Sequence, residues 1–462
     1  MKAIVVLFIL SLSFSVDAQV TPNTNMKKAA KVTYKTLPAP VIPDPYSELR
    51  EYTSVPVYGS PPPVFQHGGQ SQENKRQIDQ YERDLAEYRS RQQHAQGVLT
   101  EFDRDVAAMN RLRVAYDYPM PHTRLQQKFE ASFVELQAML GGDVPVELTR
   151  AQYLVESTYD HRLTYQLLKQ SVLDLAYISQ VFMKKEGLPE GANLSKIMAI
   201  FQVMADTTTT KVPWMEGALT TYPLLYDFDD PWGVKDFTKM FVIKLLSTGT
   251  GNCTSLPRLF LMIAEALGAE AYLSFAPQHS YVKFQDGFGE WHNVELTNQM
   301  FTTDDHIMEY GWVKSEAVRS GIYMNPITKT ELIAHLVNEL AMSHQRIFGN
   351  TPFMTKCTQL ALTHYPESIF ARQINANYYT ELVDYIVKQY QEKGLSQAQF
   401  DQDQKVTTLI EKVNTSYLTI DELGYSDVPE DLYNEWIKAM NNEENREKSR
   451  NTMRQMIQSI NR

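Results

Sequence analysis

Cysteine is scarce in this sequence, which has two in 462 residues, Cys253 and Cys357. They leave room for one disulfide or two free thiols, and which holds depends on spatial geometry that a sequence does not carry. Positive charge is not in excess either. The formal net charge of −11 argues against nucleic acid as a partner and against adsorption to an anionic membrane surface. Beyond the first residues no stretch approaches ~20 consecutive apolar positions, so no integral membrane segment is expected once the N-terminus is removed. Metal-ligand spacing is missing as well. His306 stands beside Asp304 and Asp305 without a second His or Cys at ligand distance, and Asp227, Asp229 and Asp230 lack the spacing and closing Glu of a calcium loop. No metal or other cofactor is expected, and the aspartates read as a solvated turn or helix cap.

The N-terminus resembles an export signal. Lys2 precedes an apolar run over 3–10, and Val16-Asp17-Ala18 offers small residues where a signal peptidase reads. Gln19, not Cys, follows the expected cut, which argues against a lipid anchor. The expectation is an exported protein, periplasmic or secreted, with a signal peptide over 1–18. The length allows two or three domains at roughly 100–200 residues each. Residues 19–72 are proline-rich, with Pro38, Pro40, Pro43, Pro45, Pro56 and Pro61-Pro62-Pro63, and read as a disordered leader. Over 73–120, Ile78, Tyr81, Leu85, Tyr88, Ala95, Leu99, Phe102, Val106 and Met109 recur in alternating steps of three and four. That stripe predicts a long heptad-bearing helix, either a coiled-coil contact with a partner or a helix packed on the following domain, ended by Pro119 and Pro121. Amphipathic helices are expected over 124–140, 149–158, 162–186 and 194–205, and an irregular stretch over 207–233.

Residues 245–297 hold the chemistry. Gly249 and Gly251 approach Cys253, after which Leu256, Leu259, Phe260, Ile263, Ala264 and Leu267 share a helical face that Gly268 closes. Cys253 is thus expected at a helix N-terminus, where free N–H groups and the dipole favour a thiolate and the cysteine N–H can help hold an oxyanion. Downstream, strands are expected over 271–276, 279–284 and 290–297, with Pro277-Gln278 as one break and 285–289 as a turn. Alternation puts His279, Tyr281 and Lys283 on one face, and Trp291, Asn293 and Glu295 on one face of the next strand. Centring the hairpin on Gly287 pairs Lys283 with Trp291, Tyr281 with Asn293 and His279 with Glu295. A two-residue change in pairing would set Asn293 opposite His279, which makes Asn293 the substitute orienter of the imidazole. Gln278 reads equally as a hydrogen-bond donor near the thiol and as a turn residue. Trp291 reads as a sheet anchor or the wall of a substrate groove, and His292, on the opposite face, as a packing or surface residue.

A Cys at a helix start, a His opening one strand and an acidic residue on the next resembles the transglutaminase-like superfamily, a branch of the papain-like thiol fold. Its Trp-x-x-x-Asp string is matched by Trp291 to Glu295 with Glu in place of Asp, and the Gly-Asn-Cys and Asn-x-Glu strings are similar to those of bacterial transglutaminase-like proteins with helical repeats behind the core. The resemblance covers about 124–325 and implies Cys253 as nucleophile, His279 as base and Glu295 as orienter. The fold expected is α+β and predominantly helical, a Cys-bearing helix packed on a small antiparallel sheet and flanked by an N-terminal long helix and a C-terminal helical region.

Over 326–462 the pattern is helical. Residues 353–392 are weakly similar to a tetratricopeptide-type helix pair around Tyr365-Pro366, with Cys357 packing in its first helix, and a charged helix is expected over 429–462 as a solvated end or partner surface. Two functions follow as expectations. The first is a thiol-dependent hydrolase or acyltransferase acting on amide or peptide bonds of a protein or peptide substrate, hydrolysis ranked first because bacterial members of the superfamily are more often suspected of it. The second is a catalytically silent binding or scaffold protein that uses its helical regions for protein contacts.

Overall fold

The computed structural model describes residues 114–426 except 214–217, together with 428, 432, 433, 435 and 451. The expected signal peptide, the leader, most of the heptad helix and most of the final charged helix lie outside the described residues. Residues 114–120 are not helical. They run along the C-terminal helices, where the amide of Gln389 pairs with both the N–H and the C=O of Ala115 and Tyr116 donates to Asp403.

Four helices open the described chain: α1 (Arg124–Gly141), α2 (Leu148–Tyr159), α3 (Tyr165–Glu186) and α4 (Asn193–Ala205). Their ends follow from side-chain chemistry. Thr123 and Thr164 accept from the first turns of α1 and α3, and Gly142 and Gly187 close both helices in the left-handed conformation. The stretch expected to be irregular is instead strand-bearing. The threonine run forms β1 (Thr208–Lys211), paired antiparallel with β2 (Ala218–Thr221), and the hydroxyls of Thr209 and Thr220 meet across the pair at 3.0 Å. β-Branched side chains suit a pleated pair, and this outweighed the polarity that suggested a loop. Next come β3 (Leu225–Tyr226), a 3-10 turn (Phe237–Met240), α5 (Val242–Thr248), β4 (Thr250–Gly251), which pairs in parallel with β3, and α6 (Ser255–Leu267).

The main sheet follows: β5 (Tyr272–Ala276), β6 (His279–Gln285), β7 (Trp291–Glu295) and β8 (Met300–Thr302), antiparallel and in sequence order. One face is apolar. Leu273, Phe275, Val282, Phe284 and Val294 pack inward, with Phe275 against His335 and Phe370 and Phe284 joined through Phe301 to Phe201. Helices α7 (Asp304–Tyr310), α8 (Ser315–Arg319), α9 (Lys329–Phe348), α10 (Pro352–His364), α11 (Ile369–Glu392), α12 (Gln397–Gln402) and α13 (Gln404–Glu422) complete the described part. The chain is therefore predominantly helical α+β. Among the described residues no helix is long and apolar enough to cross a membrane.

The expected hairpin register is corrected. Lys283 pairs with Asn293, Phe284 with His292 and Gln285 with Trp291, two residues away from the pairing centred on Gly287. The turn is built by Asp286, whose carboxylate accepts from the N–H groups of Phe288 and Glu290, and by Gly289 at φ 84°. The shift is even, so side-chain parity survives and His279, Tyr281, Lys283, Asn293 and Glu295 remain on one face.

Candidate active site

The approach to Cys253 is fixed residue by residue. Gly249 ends α5 at φ 72°. Gly251 admits no side chain, because a Cβ there would stand 2.3 Å from Ser255 Oγ and 3.1 Å from a Leu245 methyl. Asn252, fully buried, accepts from the N–H groups of Thr254 and Ser255 and so caps the first turn of α6, while its amide donates to Pro231 O. Cys253 thus sits in the opening turn of the helix, partly buried, with the β3–β4 pairing placing Tyr226 beside Gly251. Cys357 is free as well and lies buried in α10, so the two thiols form no disulfide; burial pushes the Cys357 thiol up.

Beneath α5, the carboxylate of Glu156 accepts from the N–H groups of Val242 and Ile243 at 2.5 and 3.1 Å. Burial raises this carboxyl to about 7 despite those bonds.

Strand β6 brings its first residue to the thiol. Ser280 Oγ donates to the carbonyl oxygen of Cys253 at 2.5 Å, which ties the cysteine backbone to the residue next to His279. Sequence reasoning passed over Ser280; its place beside His279 on the opposite face of the strand was the available signal. His279 Nε2 lies 2.6 Å from Glu295 Oε2, and both side chains are 1% exposed. Nε2 is thereby committed to the carboxylate, and the Cys253 side chain acts on the same ring through its charge. Glu295 Oε1 accepts from the Thr297 N–H at 2.8 Å, and this fixes the carboxylate.

Charge dominates the imidazole. Burial alone would lower its pKa, but the Glu295 carboxylate and the Cys253 side chain reverse that and push it up to about 10. Burial likewise raises Glu295, and His279 together with the Thr297 bonds brings it below the usual carboxylate range. In the observed register Glu295 lies diagonal to His279 rather than opposite it, at a distance typically about 7–8 Å between backbones. The extra methylene of Glu over Asp spans that offset.

The remaining candidates fall elsewhere. Asn293 is not at the imidazole: its amide donates to Asp304 Oδ1, which also holds Lys283 Nζ at 2.8 Å. Trp291 stands at the far end of β7, 40% exposed, edge-on to Tyr272, and walls no groove at the thiol. Gln278 is the second residue of the β5–β6 turn, at φ 60° after Pro277. His292 bonds Asp286 and stacks on Phe284. Asp227 and Asp230 bind backbone N–H groups of 229–236 and order the loop that reaches Asn252. Among the described residues no three His, Cys, Asp or Glu side chains gather as a metal site.

Around Cys253 stand residues that sequence reasoning did not single out. Tyr226 and Tyr433 are both buried, and the Tyr433 ring lies 4.3 Å from that of Trp232. Burial first, with the charges at Cys253 and Glu295, holds both hydroxyls well above the ordinary range; Tyr433 raises Tyr226 further, whereas the hydrogen bond from Tyr226 lowers Tyr433. No protein-family model, curated protein or solved structure matches this chain.

Proposed function

We propose that the chain is a thiol-dependent hydrolase or acyltransferase of amide or peptide bonds, with a transglutaminase-like arrangement on a papain-like core, exported from the cell. The observation that carries this reading is the buried 2.6 Å His279–Glu295 pair on the strand whose Ser280 hydroxyl holds the Cys253 carbonyl. A buried imidazole held by a carboxylate on one nitrogen, on the strand that Ser280 ties to the Cys253 backbone, is the kind of arrangement nucleophilic catalysis uses.

In this reading the Cys253 proton passes to His279 and the sulfur attacks the substrate carbonyl, with the Cys253 N–H at the helix start facing the developing oxyanion. His279 returns the proton to the nitrogen as the C–N bond breaks, which releases an amine and leaves a thioester. Water, or a second amine, then attacks the thioester, His279 takes its proton, and the sulfur departs. Glu295 stays ionised throughout and stabilises the imidazole each time it carries the proton.

A reactive ester tests the proposal. p-Nitrophenyl acetate should give a burst equal to the enzyme concentration that Cys253→Ala abolishes and His279→Ala slows by about 10² or more, the range of general acid–base catalysis. Iodoacetamide should label Cys253 ahead of buried Cys357, with that lead reduced in His279→Ala. Slow labelling of both cysteines with no burst would instead support the silent scaffold, which the near-complete burial of His279 and Glu295 favours.

A further inference from the structure

We infer that the face formed by α11, α12 and α13 is a peptide-docking site for an extended segment with a tyrosine on each side of an acidic residue. Residues 114–118 of this chain are its resident occupant. The site stands apart from Cys253 and makes no use of the triad.

The segment is held first by its backbone. Gln389, itself buried, donates through Nε2 to Ala115 O at 2.9 Å and accepts through Oε1 from the Ala115 N–H at 2.8 Å. One amide that satisfies both backbone groups of a residue takes the part of a neighbouring strand, and it reads extended chain rather than any side chain. Side chains are read around that clamp. Val114, Tyr116 and Tyr118 stand at alternate positions and all pack against one apolar cluster, whereas Asp117 is exposed. The Tyr116 hydroxyl donates to Asp403 Oδ2 at 2.6 Å, and Lys405 Nζ lies over the Tyr116 ring, 4.5 Å from its centre. Tyr118 stacks on Tyr385 at 4.8 Å and meets Tyr378 edge-on at 5.7 Å. Between the two tyrosines, Asp117 Oδ1 accepts from the Tyr378 hydroxyl.

The receiving face is built from its own helices. Met354, Ile374, Leu382, Ile386, Phe400 and Ile410 are buried together in this cluster, and the three segment side chains border it only partly buried. Asp403 is also fixed without the segment. It accepts from the Tyr390 hydroxyl at 2.6 Å and, as the cap of α13, from the N–H of Lys405 at 2.9 Å. A carboxylate held in this way is preorganised for a further phenol. The tether on the other side is short, because residues 119–123 lead directly from Tyr118 into α1. A short link keeps the segment near its site at an effective concentration on the order of millimolar, which a free peptide at micromolar concentration does not match. The chain preceding Val114 therefore enters the molecule at its C-terminal helices.

A fluorescein-labelled peptide of residues 112–120 tests the site by anisotropy against the full chain. Tyr116→Ala combined with Tyr118→Ala vacates the site. The peptide should bind this double variant saturably, and about tenfold or more tightly than it binds the parent, whose site is filled. Adding Gln389→Ala should weaken that binding by about tenfold, the loss expected for two backbone hydrogen bonds. A peptide with both tyrosines replaced by alanine should not bind. Iodoacetamide labelling of buried Cys357 gauges the fold. If the double variant labels there faster than the parent, Tyr116→Ala alone takes its place. Loosening in that variant as well overturns the site, because the segment is then a structural part of the tail. No binding to the opened chain, equal binding to the parent, or indifference to Gln389→Ala overturns it too. A parent that elutes as a dimer, and as a monomer once Gln389→Ala is made, shows a second copy's segment in the site and overturns the occupant in cis.

Discussion

At the residue scale the arrangement turns on one carboxylate. Glu295 supplies the largest influence holding the buried imidazole of His279 protonated, against burial that would discharge it. A histidine whose folded pKa stands near 10, above its unfolded value of 6.5, adds stability that is whole below about pH 6.5 and is lost as pH climbs toward 10. Glu295→Gln preserves shape and a hydrogen-bond acceptor but removes the charge, so burial acts unopposed and the imidazole becomes neutral at neutral pH. Urea midpoints measured against pH should fall between neutral and alkaline pH in the parent, by an amount on the order of a few kcal/mol at most. They should run flat over that window in Glu295→Gln. Parallel curves would show that the carboxylate does not govern the ring. The three residues and their types were readable from the sequence because each announces itself locally, one by a glycine-led helix start and two by strand parity. The reason for Glu rather than Asp was not, since it follows from a diagonal pairing that only the folded hairpin reveals.

At the element scale, helices were legible wherever caps punctuate them: Thr123 and Gly142 around α1, Thr164 and Gly187 around α3, and Gly268 after α6. Each cap satisfies orphan backbone groups within one turn, so its signal is local. The β6–β7 register was misread for a physical reason. Two glycines lie in the turn, and centring on Gly287 chose the one that needs no special backbone. Gly289 is the residue at φ 84°, and nothing stands within 4 Å of where a Cβ would sit at either position. Backbone strain is thus isolated from crowding. Gly289→Ala should cost about 1–2 kcal/mol through the left-handed conformation, whereas Gly287→Ala should be neutral or stabilise by up to about 1 kcal/mol through the unfolded chain. Equilibrium unfolding of the two single variants decides it, and equal costs would mean that the turn geometry is set elsewhere.

At the scale of the whole molecule, the cysteine-bearing helix is held from behind by a buried charge that no periodicity disclosed. Arg258 lies five residues after Cys253 within a run of apolar positions, and its side chain is 1% exposed. It pairs with Glu339 of α9 at 2.7 Å, and His335 Nε2 stands 3.4 Å from the same carboxylate. Burial pulls the guanidinium down, and the negative charges of Glu339 and Glu156 counter it. Partners 81 residues apart leave no local trace, which is why Arg258 passes unnoticed in a helical face read from its leucines. An ion pair of this kind is weak evidence of net stabilisation, because taking both charges out of water offsets most of their attraction. Removing one partner is a different matter. Glu339→Ala strands the Arg258 charge in the core and should cost about 3–5 kcal/mol, while Arg258→Met combined with Glu339→Leu should recover most of that loss. A double-mutant cycle from urea unfolding measures the coupling. If the single and double variants lose equally, Arg258 serves the core through its packing alone. If the double variant recovers stability and still labels Cys253 ahead of Cys357, the pair anchors α6 without taking part in the chemistry at its other end.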